Sequence, residues 1–304
     1  MPEISLRPAV AGDLPLVGKL CERSMSVSAE GIGYPRCADE QELLAELALY
    51  GNEVEDHLFM VCDAAGAAVG CTGLLVSDTD AVCYLIGPLL HGSWRTVDTA
   101  SQALRLLLAR ERVVSSALVG YIVDDNVVLA EALQRTGWRC GEAQLEMSCE
   151  TTAAEHGCVV AGGERFIRGL STSGDHLFPA VAQMLGRHHH WSSDPLARLS
   201  DYLDDGYRVA VLESAGRLIG CALWIHVSGT DFGRLDYLSV SEEFRGRSYG
   251  SMLTRHVLAE ATRMEAIERV YLSVDSANEV ARRVYRSCGF TEGVASRRYS
   301  YQAE

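Results

Sequence analysis

Leu235-Asp-Tyr-Leu-Ser-Val-Ser-Glu-Glu-Phe-Arg-Gly-Arg-Ser-Tyr-Gly250 reads as a strand ending at Val240, a short polar loop, and a helix that begins at once. The helix is expected from about Ser248 to Met264, with Tyr249, Met252, Leu253 and Val257 on one apolar stripe. The loop feeds Arg245, Gly246, Arg247, Ser248 and Gly250 into its first turn. Backbone N–H groups there lack intrahelical partners, and the helix dipole is positive. Such a turn cradles anions, glycine lets a pyrophosphate approach, and Arg245 and Arg247 supply charge-assisted hydrogen bonds. Ser248 is expected at negative φ if serine fits the loop at no geometric cost, since a side chain at positive φ is strained.

Outward from this loop, residues 164–304 read as strand Arg165–Leu170, helices Asp175–Gly186 and Asp194–Asp204, and strands Tyr207–Glu213, Leu218–Val227 and Phe232–Val240. After the long helix come strand Arg269–Val274, helix Asn278–Ser287 and strands near Phe290 and Arg298. The class is mixed α/β. The pattern occurs twice. Asp63-Ala-Ala-Gly-Ala-Ala-Val-Gly-Cys71 matches Glu213-Ser-Ala-Gly-Arg-Leu-Ile-Gly-Cys221, and Val123-Asp-Asp-Asn126 with Gly137-Trp138 matches Val274-Asp-Ser-Ala-Asn278 with Gly289-Phe290. Two matches in one order at nearly one offset indicate duplication. The expected domains are 1–150 and 164–304, joined by a polar linker over 151–163.

The composition narrows the function. Of 304 residues, 27 are Lys or Arg and 41 are Asp or Glu, a net charge of −14 that argues against gripping nucleic acid. No apolar run reaches membrane-spanning length. Met1 to Arg7 reads as a strand without a signal-peptide core, so a cytoplasmic protein with no membrane partner is expected. Ten cysteines without a C-x-x-C pair, and nine histidines without H-E-x-x-H, give no metal-site spacing. No Gly-x-Ser-x-Gly elbow signals a hydrolase.

The loop Arg245-Gly-Arg-Ser-Tyr-Gly250, with Asn278-Glu-Val-Ala-Arg-Arg-Val-Tyr-Arg-Ser-Cys-Gly-Phe290 downstream, resembles the GNAT superfamily of CoA-dependent N-acyltransferases. That family carries an Arg/Gln-x-x-Gly-x-Gly/Ala loop, and Ser248 stands at its middle glycine. The resemblance covers most of 164–301 and implies two tandem GNAT-like domains, each a mixed central sheet flanked by helices. It implies acetyl-CoA or another acyl-CoA as co-substrate, no metal, and an amine on a small molecule as acceptor, acylated by direct attack. It places the pyrophosphate on backbone N–H groups of Arg245, Gly246, Arg247, Ser248, Tyr249 and Gly250. The pantetheine arm would pair near Leu238 and Val240, with Asn278 hydrogen-bonding it. Tyr285 would protonate the departing thiolate.

Two side chains are candidates for the general base. Asp236 shares strand parity with Leu238 and Val240, which turns a carboxylate inward, where it is either paired or functional. His189, in the run His188-His189-His190, lies between the first two helices of its half, a region where the family contacts acceptors.

The first half lacks this chemistry. Gly92-Ser-Trp-Arg-Thr-Val97 stands opposite Arg245–Gly250, and Leu133 stands opposite Tyr285. Val97 at the position of Gly250 is expected to crowd a pyrophosphate, which makes 1–150 a degenerate copy. It would serve as support, as a wall of the acceptor cleft, or as a docking surface. Two alternatives stand beside the acyl-CoA reading. The phosphopantetheine of an acyl carrier protein could be the donor, docked on the loop arginines Arg245 and Arg247 with Arg282, Arg283 and Arg286, or the chain could be a non-catalytic CoA-binding scaffold.

Overall fold

The alternation of strands and helices is realised twice. A computed structural model describes residues 3–79, 82–110, 117–151, 165–170, 172–191, 194–264 and 266–301. The first half runs β1 (Ile4–Pro8), α1 (Leu14–Ser26), β2 (Ile32–Tyr34), α2 (Glu40–Leu49), α3 (Val54–His57), β3 (Leu58–Asp63), β4 (Ala68–Ser77), β5 (Val82–Leu90), α4 (Val97–Leu108), β6 (Ala117–Val123), α5 (Val127–Arg135) and β7 (Arg139–Glu150). The second runs β8 (Arg165–Leu170), α6 (Phe178–His188), α7 (Pro195–Asp204), β9 (Arg208–Ser214), β10 (Arg217–His226), β11 (Phe232–Val240), α8 (Tyr249–Thr262), β12 (Arg269–Asp275), α9 (Glu279–Arg286) and β13 (Thr291–Tyr301).

The chain forms two compact units, 1–145 with 294–304, and 146–293. The difference from a cut at 150 and 164 lies in the last strand of each half. Ser296–Tyr301 of β13 pair antiparallel with Leu118–Val123 of β6, inside the first unit. The end of β7 lies in the second unit beside β12. Thr151 follows it there, its N–H on the Glu268 carbonyl at 2.8 Å and its hydroxyl on that of Ile267 at 2.8 Å. The two strands expected near Phe290 and Arg298 are the single strand β13. Of the expected linker 151–163, all but Thr151 lies outside the described residues.

Within each unit the sheet is antiparallel except at its centre. In the second, β8, β9, β10 and β11 pair antiparallel, and β11 then runs parallel to β12. The unbroken apolar run of β10 from Leu218 to Ile225 is buried, as a strand covered on both faces must be. Tyr249, Leu253 and Val257 of α8 are buried as one stripe, and Met252 is half-buried. Among the described residues no helix is long and apolar enough to cross a membrane.

Tyr299, on β13, is 3% exposed and belongs to the core of the first unit with Trp138. Tyr299→Ala is therefore expected to destabilise that unit by about 3 kcal/mol in urea unfolding and to speed amide exchange in β6. Unchanged stability would show that β13 is not part of that core.

Candidate active site

The loop between β11 and α8 is built on two left-handed residues. A short turn at Glu242–Phe244 follows β11, then Gly246 has φ 75° and Ser248 φ 62°. The expected negative φ of Ser248 is thus corrected. Ser248 is the N-cap of α8, and a tight entry into the helix there needs a left-handed residue, as the family's glycine would supply. The Ser248 side chain makes no capping hydrogen bond. The first-turn N–H groups of α8 are therefore left for an anion, and alternating backbone handedness turns successive N–H groups to one side. Arg245 and Arg247 are exposed beside them. Arg245 donates to the Val240 carbonyl at 3.2 Å, and Arg247 lies 5.8 Å from the Phe244 ring centroid.

Below the loop the two parallel strands part. β11 and β12 pair only at Phe232/Arg269, Gly233/Val270 and Arg234/Tyr271, although β11 runs on to Val240 and β12 to Asp275. Leu238 and Val240 lie on the parted stretch. A Cβ on Gly250 would sit 3.6 Å from Val284 and 3.9 Å from Leu238. A Cβ there would make ordinary van der Waals contacts with α9 on one side and β11 on the other. Asn278 caps α9 by accepting from the Ala281 N–H at 3.1 Å. Its amide NH2 has no partner among the described residues. Tyr285 is 8% exposed, with its ring 5.8 Å from that of Phe290, and burial pushes its phenol well above the ordinary tyrosine range. It stays protonated throughout the working pH range, as a proton donor must.

The opposite side of β11 is organised by a bulge. Tyr237 pairs with Leu223 and Leu235 with Trp224, so Asp236 is an extra residue on β11. The bulge resets the alternation. Leu238 points towards Gly250, whereas Tyr237 and Ser239 meet His189. The expected parity of Asp236 with Leu238 is therefore corrected. Its carboxylate accepts from the Tyr207 hydroxyl at 2.8 Å and the Arg234 Nε at 2.9 Å. It is a paired carboxylate and not an isolated base.

His189 caps the end of α6, its Nε2 3.0 Å from the Ser239 hydroxyl and its ring 4.7 Å from that of Tyr237. Burial pulls its pKa down to about 4, helped by His188 and His190, so the imidazole is neutral at pH 7. Tyr237 also shares a 3.0 Å hydroxyl–hydroxyl hydrogen bond with Tyr202, and Trp191 packs edge-on against it at 5.6 Å. Tyr202, Tyr207, Tyr237, Trp191, Arg234 and Ser239 escaped the sequence reading. The only sequence signal for Trp191, Tyr202 and Tyr207 is the aromatic content of 191–207, which resembles ordinary core.

The corresponding loop of the first unit is closed by its own side chain. Thr96 caps α4 by accepting from the Thr99 N–H at 3.2 Å, which takes an amide that α8 leaves open. Among the described residues no group of three His, Cys, Asp or Glu side chains could hold a metal.

A family model described as the acetyltransferase (GNAT) family matches residues 178–290. A mycothiol acetyltransferase of Beutenbergia cavernae is 25% identical over 274 residues, 84% of this chain and 88% of that protein. A GCN5-related N-acetyltransferase from Sphaerobacter thermophilus superposes with a TM-score of 0.66 at 15% identity, over 98% of this chain and 95% of its own. A tandem GNAT protein from the clavulanic acid biosynthesis pathway superposes with a TM-score of 0.62 at 15% identity, over 99% of both chains.

Two outcomes test this geometry. Ser248→Gly should raise stability by about 1 kcal/mol, because glycine adopts the left-handed backbone without strain. A fall in melting temperature would contradict the backbone described for the loop. For His189, an unfolded imidazole titrates near 6.5 and the folded one near 4, so the unfolded chain binds more protons in that interval. Its contribution is complete above the unfolded value and is lost as pH falls through the window. Between pH 7 and pH 5 urea unfolding should show a loss of about 1–2 kcal/mol that His189→Gln largely removes.

Proposed function

We propose that this chain is a tandem GNAT protein and an N-acyltransferase that moves an acetyl group from acetyl-CoA to the amine of a small molecule by direct attack, as the match of residues 178–290 to the acetyltransferase (GNAT) family and the likeness to a mycothiol acetyltransferase support. The observation that carries this reading is the parting of β11 from β12 directly beneath an uncapped helix start. The uncapped first turn of α8, with N–H groups of residues 245–250 and the exposed Arg245 and Arg247, suits a pyrophosphate. Pantetheine contains two amides, so the exposed edges at Leu238 and Val240 suit it as they would a peptide strand. Asn278 holds an amide donor ready on the other side of the cleft. In the reaction the amine nitrogen bonds to the thioester carbonyl carbon and the C–S bond breaks. Tyr285 gives its proton to the sulfur, and the amine loses one proton. The same desolvation that holds the proton on Tyr285 makes a buried thiolate more basic, which favours the transfer. Neutral His189 is the better of the two candidate bases, since Asp236 is engaged by Arg234 and Tyr207.

Two observations weigh between this reading and the alternatives. Arg282 and Arg286 share Glu292, at 2.9 Å from Arg282, and both also pair with Glu279, at 3.2 and 2.9 Å. Arginines engaged in this way make a poor landing patch for an acidic carrier protein, which favours a free CoA donor. A buried, protonated tyrosine at the position where the family carries its proton donor favours catalysis over a scaffold. Mass spectrometry of the protein with acetyl-CoA and a panel of amines tests the reaction, and no acetylated product would count against it. With a responsive amine in hand, Tyr285→Phe should lower turnover about a hundredfold while CoA affinity stays within a few-fold. Unchanged turnover would reduce Tyr285 to packing.

A further inference from the structure

The first unit contains the same parted strands as the second, but there the gap is filled by the protein itself. β5 and β6 pair parallel only at Val82/Ala117, Cys83/Leu118 and Tyr84/Val119, and then separate, as β11 and β12 do. Into this gap runs β2, antiparallel to β6, with Ile32 opposite Ile122 and Tyr34 opposite Tyr121. We propose that the Ser28–Tyr34 segment permanently fills the gap between β5 and β6 of the first unit, taking the β6 edge and the asparagine amide that the second unit leaves open, so that the chain takes one acyl donor, in its second unit. The inference rests on the reading of the β11/β12 cleft as a donor site.

The hydrogen bonds make the case. Asn126 and Asn278 are the matching residues of the repeat, and each caps the helix that follows, with its side-chain oxygen on the N–H three residues on, at 3.2 and 3.1 Å. Asn126 also uses its amide NH2, which donates to the Gly31 carbonyl at 3.0 Å. The Val123 N–H points to the same carbonyl at 3.4 Å. One peptide carbonyl thus receives two donors, from a strand edge and from an asparagine at the helix start. The second unit has that asparagine amide without a protein partner among the described residues. In the loop before α4, the Arg95 guanidinium bonds the Ala29 carbonyl, so it too holds the segment.

The segment fits closely. A Cβ on Gly31 would come within 2.7 Å of Val123, and one on Gly33 within 2.5 Å of Ser296. Ile32 is 3% exposed, its N–H on the Ser24 hydroxyl at 3.1 Å. Tyr34 packs edge-on against Tyr84 at 5.0 Å and bonds Glu46 at 3.0 Å. The source of the extra chain is the connection between the first two helices. It spans residues 27–39 in the first unit, thirteen residues, and 189–194 in the second, six residues. Only the longer connection reaches into the gap, and in the second unit Ser273 on the matching stretch of β12 is exposed.

Amide hydrogen exchange on the full chain, with and without CoA, tests the proposal. Without ligand, uptake is expected to be slow at 119–124 and fast at 271–276. Saturating CoA should slow 271–276 and leave 28–34 and 119–124 unchanged, with one CoA bound per chain in equilibrium dialysis. Protection of 28–34 or 119–124 by CoA overturns the proposal, and so does equally fast uptake in both strands without ligand. If CoA protects neither region, the donor reading of the second cleft fails, while the ligand-free contrast still decides whether β2 fills the first. A matched pair of variants adds an independent readout. Asn126→Asp keeps the capping oxygen and removes the donor to Gly31, so exchange at 28–34 should quicken and the melting temperature fall, with CoA affinity unchanged. Asn278→Asp should instead weaken CoA about tenfold and leave the melting temperature in place. Equal weakening of CoA by both, or undisturbed exchange at 28–34 in Asn126→Asp, refutes the assignment.

Discussion

Parallel neighbours that hydrogen-bond for a few residues and then diverge leave two strand edges whose N–H and C=O groups must find partners elsewhere. Buried backbone groups are almost never left unpaired. In the second unit the edges at β11 and β12 stay unpaired below an uncapped helix, and on the proposed reading an amide-bearing ligand satisfies them. In the first unit the edge of β6 takes β2 instead. One backbone requirement therefore has two solutions in one chain. The rest of each unit follows from which one it has: the capped or uncapped helix start, the engaged or open asparagine, and the long or short connection between the first two helices.

The β11 strand presents different surfaces to its two sides. Its bulge at Asp236 sends Leu238 towards α8 and α9 while Tyr237 and Ser239 meet His189. On that second side the polar atoms are bound to one another, Tyr237 to Tyr202 and Tyr207 to Asp236. Such groups carry a large penalty if buried alone and hold a fixed geometry when paired. A neutral His189 within this network brings no charge that would repel an incoming ammonium.

The last strands tie sequence ends to units other than those expected from the repeat. β13 completes the sheet of the first unit through Ser296–Tyr301, and the end of β7 with Thr151 completes that of the second. Each unit thus depends on a strand from the other half of the sequence. This arrangement is a constraint on any attempt to express one half alone.

The sequence by itself determined the α/β class, the duplication, the helix stripe of Tyr249, Leu253 and Val257, and the loop that leads from β11 into α8. These follow from local periodicity and from residue types whose chemistry is short-ranged. Tyr285 and Asn278 were singled out by the family resemblance, and the structure places them on one helix and at its cap. Only the tertiary structure decided the rest. A single extra residue in β11 reversed the side taken by Asp236, and alternation along a strand cannot register a bulge that is defined by the neighbouring strand. The backbone of Ser248 turned left-handed because the helix entry requires it, against the local preference of serine. The exchange of β7 and β13, the aromatic group around Tyr237, and the filling of the first cleft by β2 all arise from pairings between residues far apart in the chain, and such pairings leave no mark on the local pattern of residues.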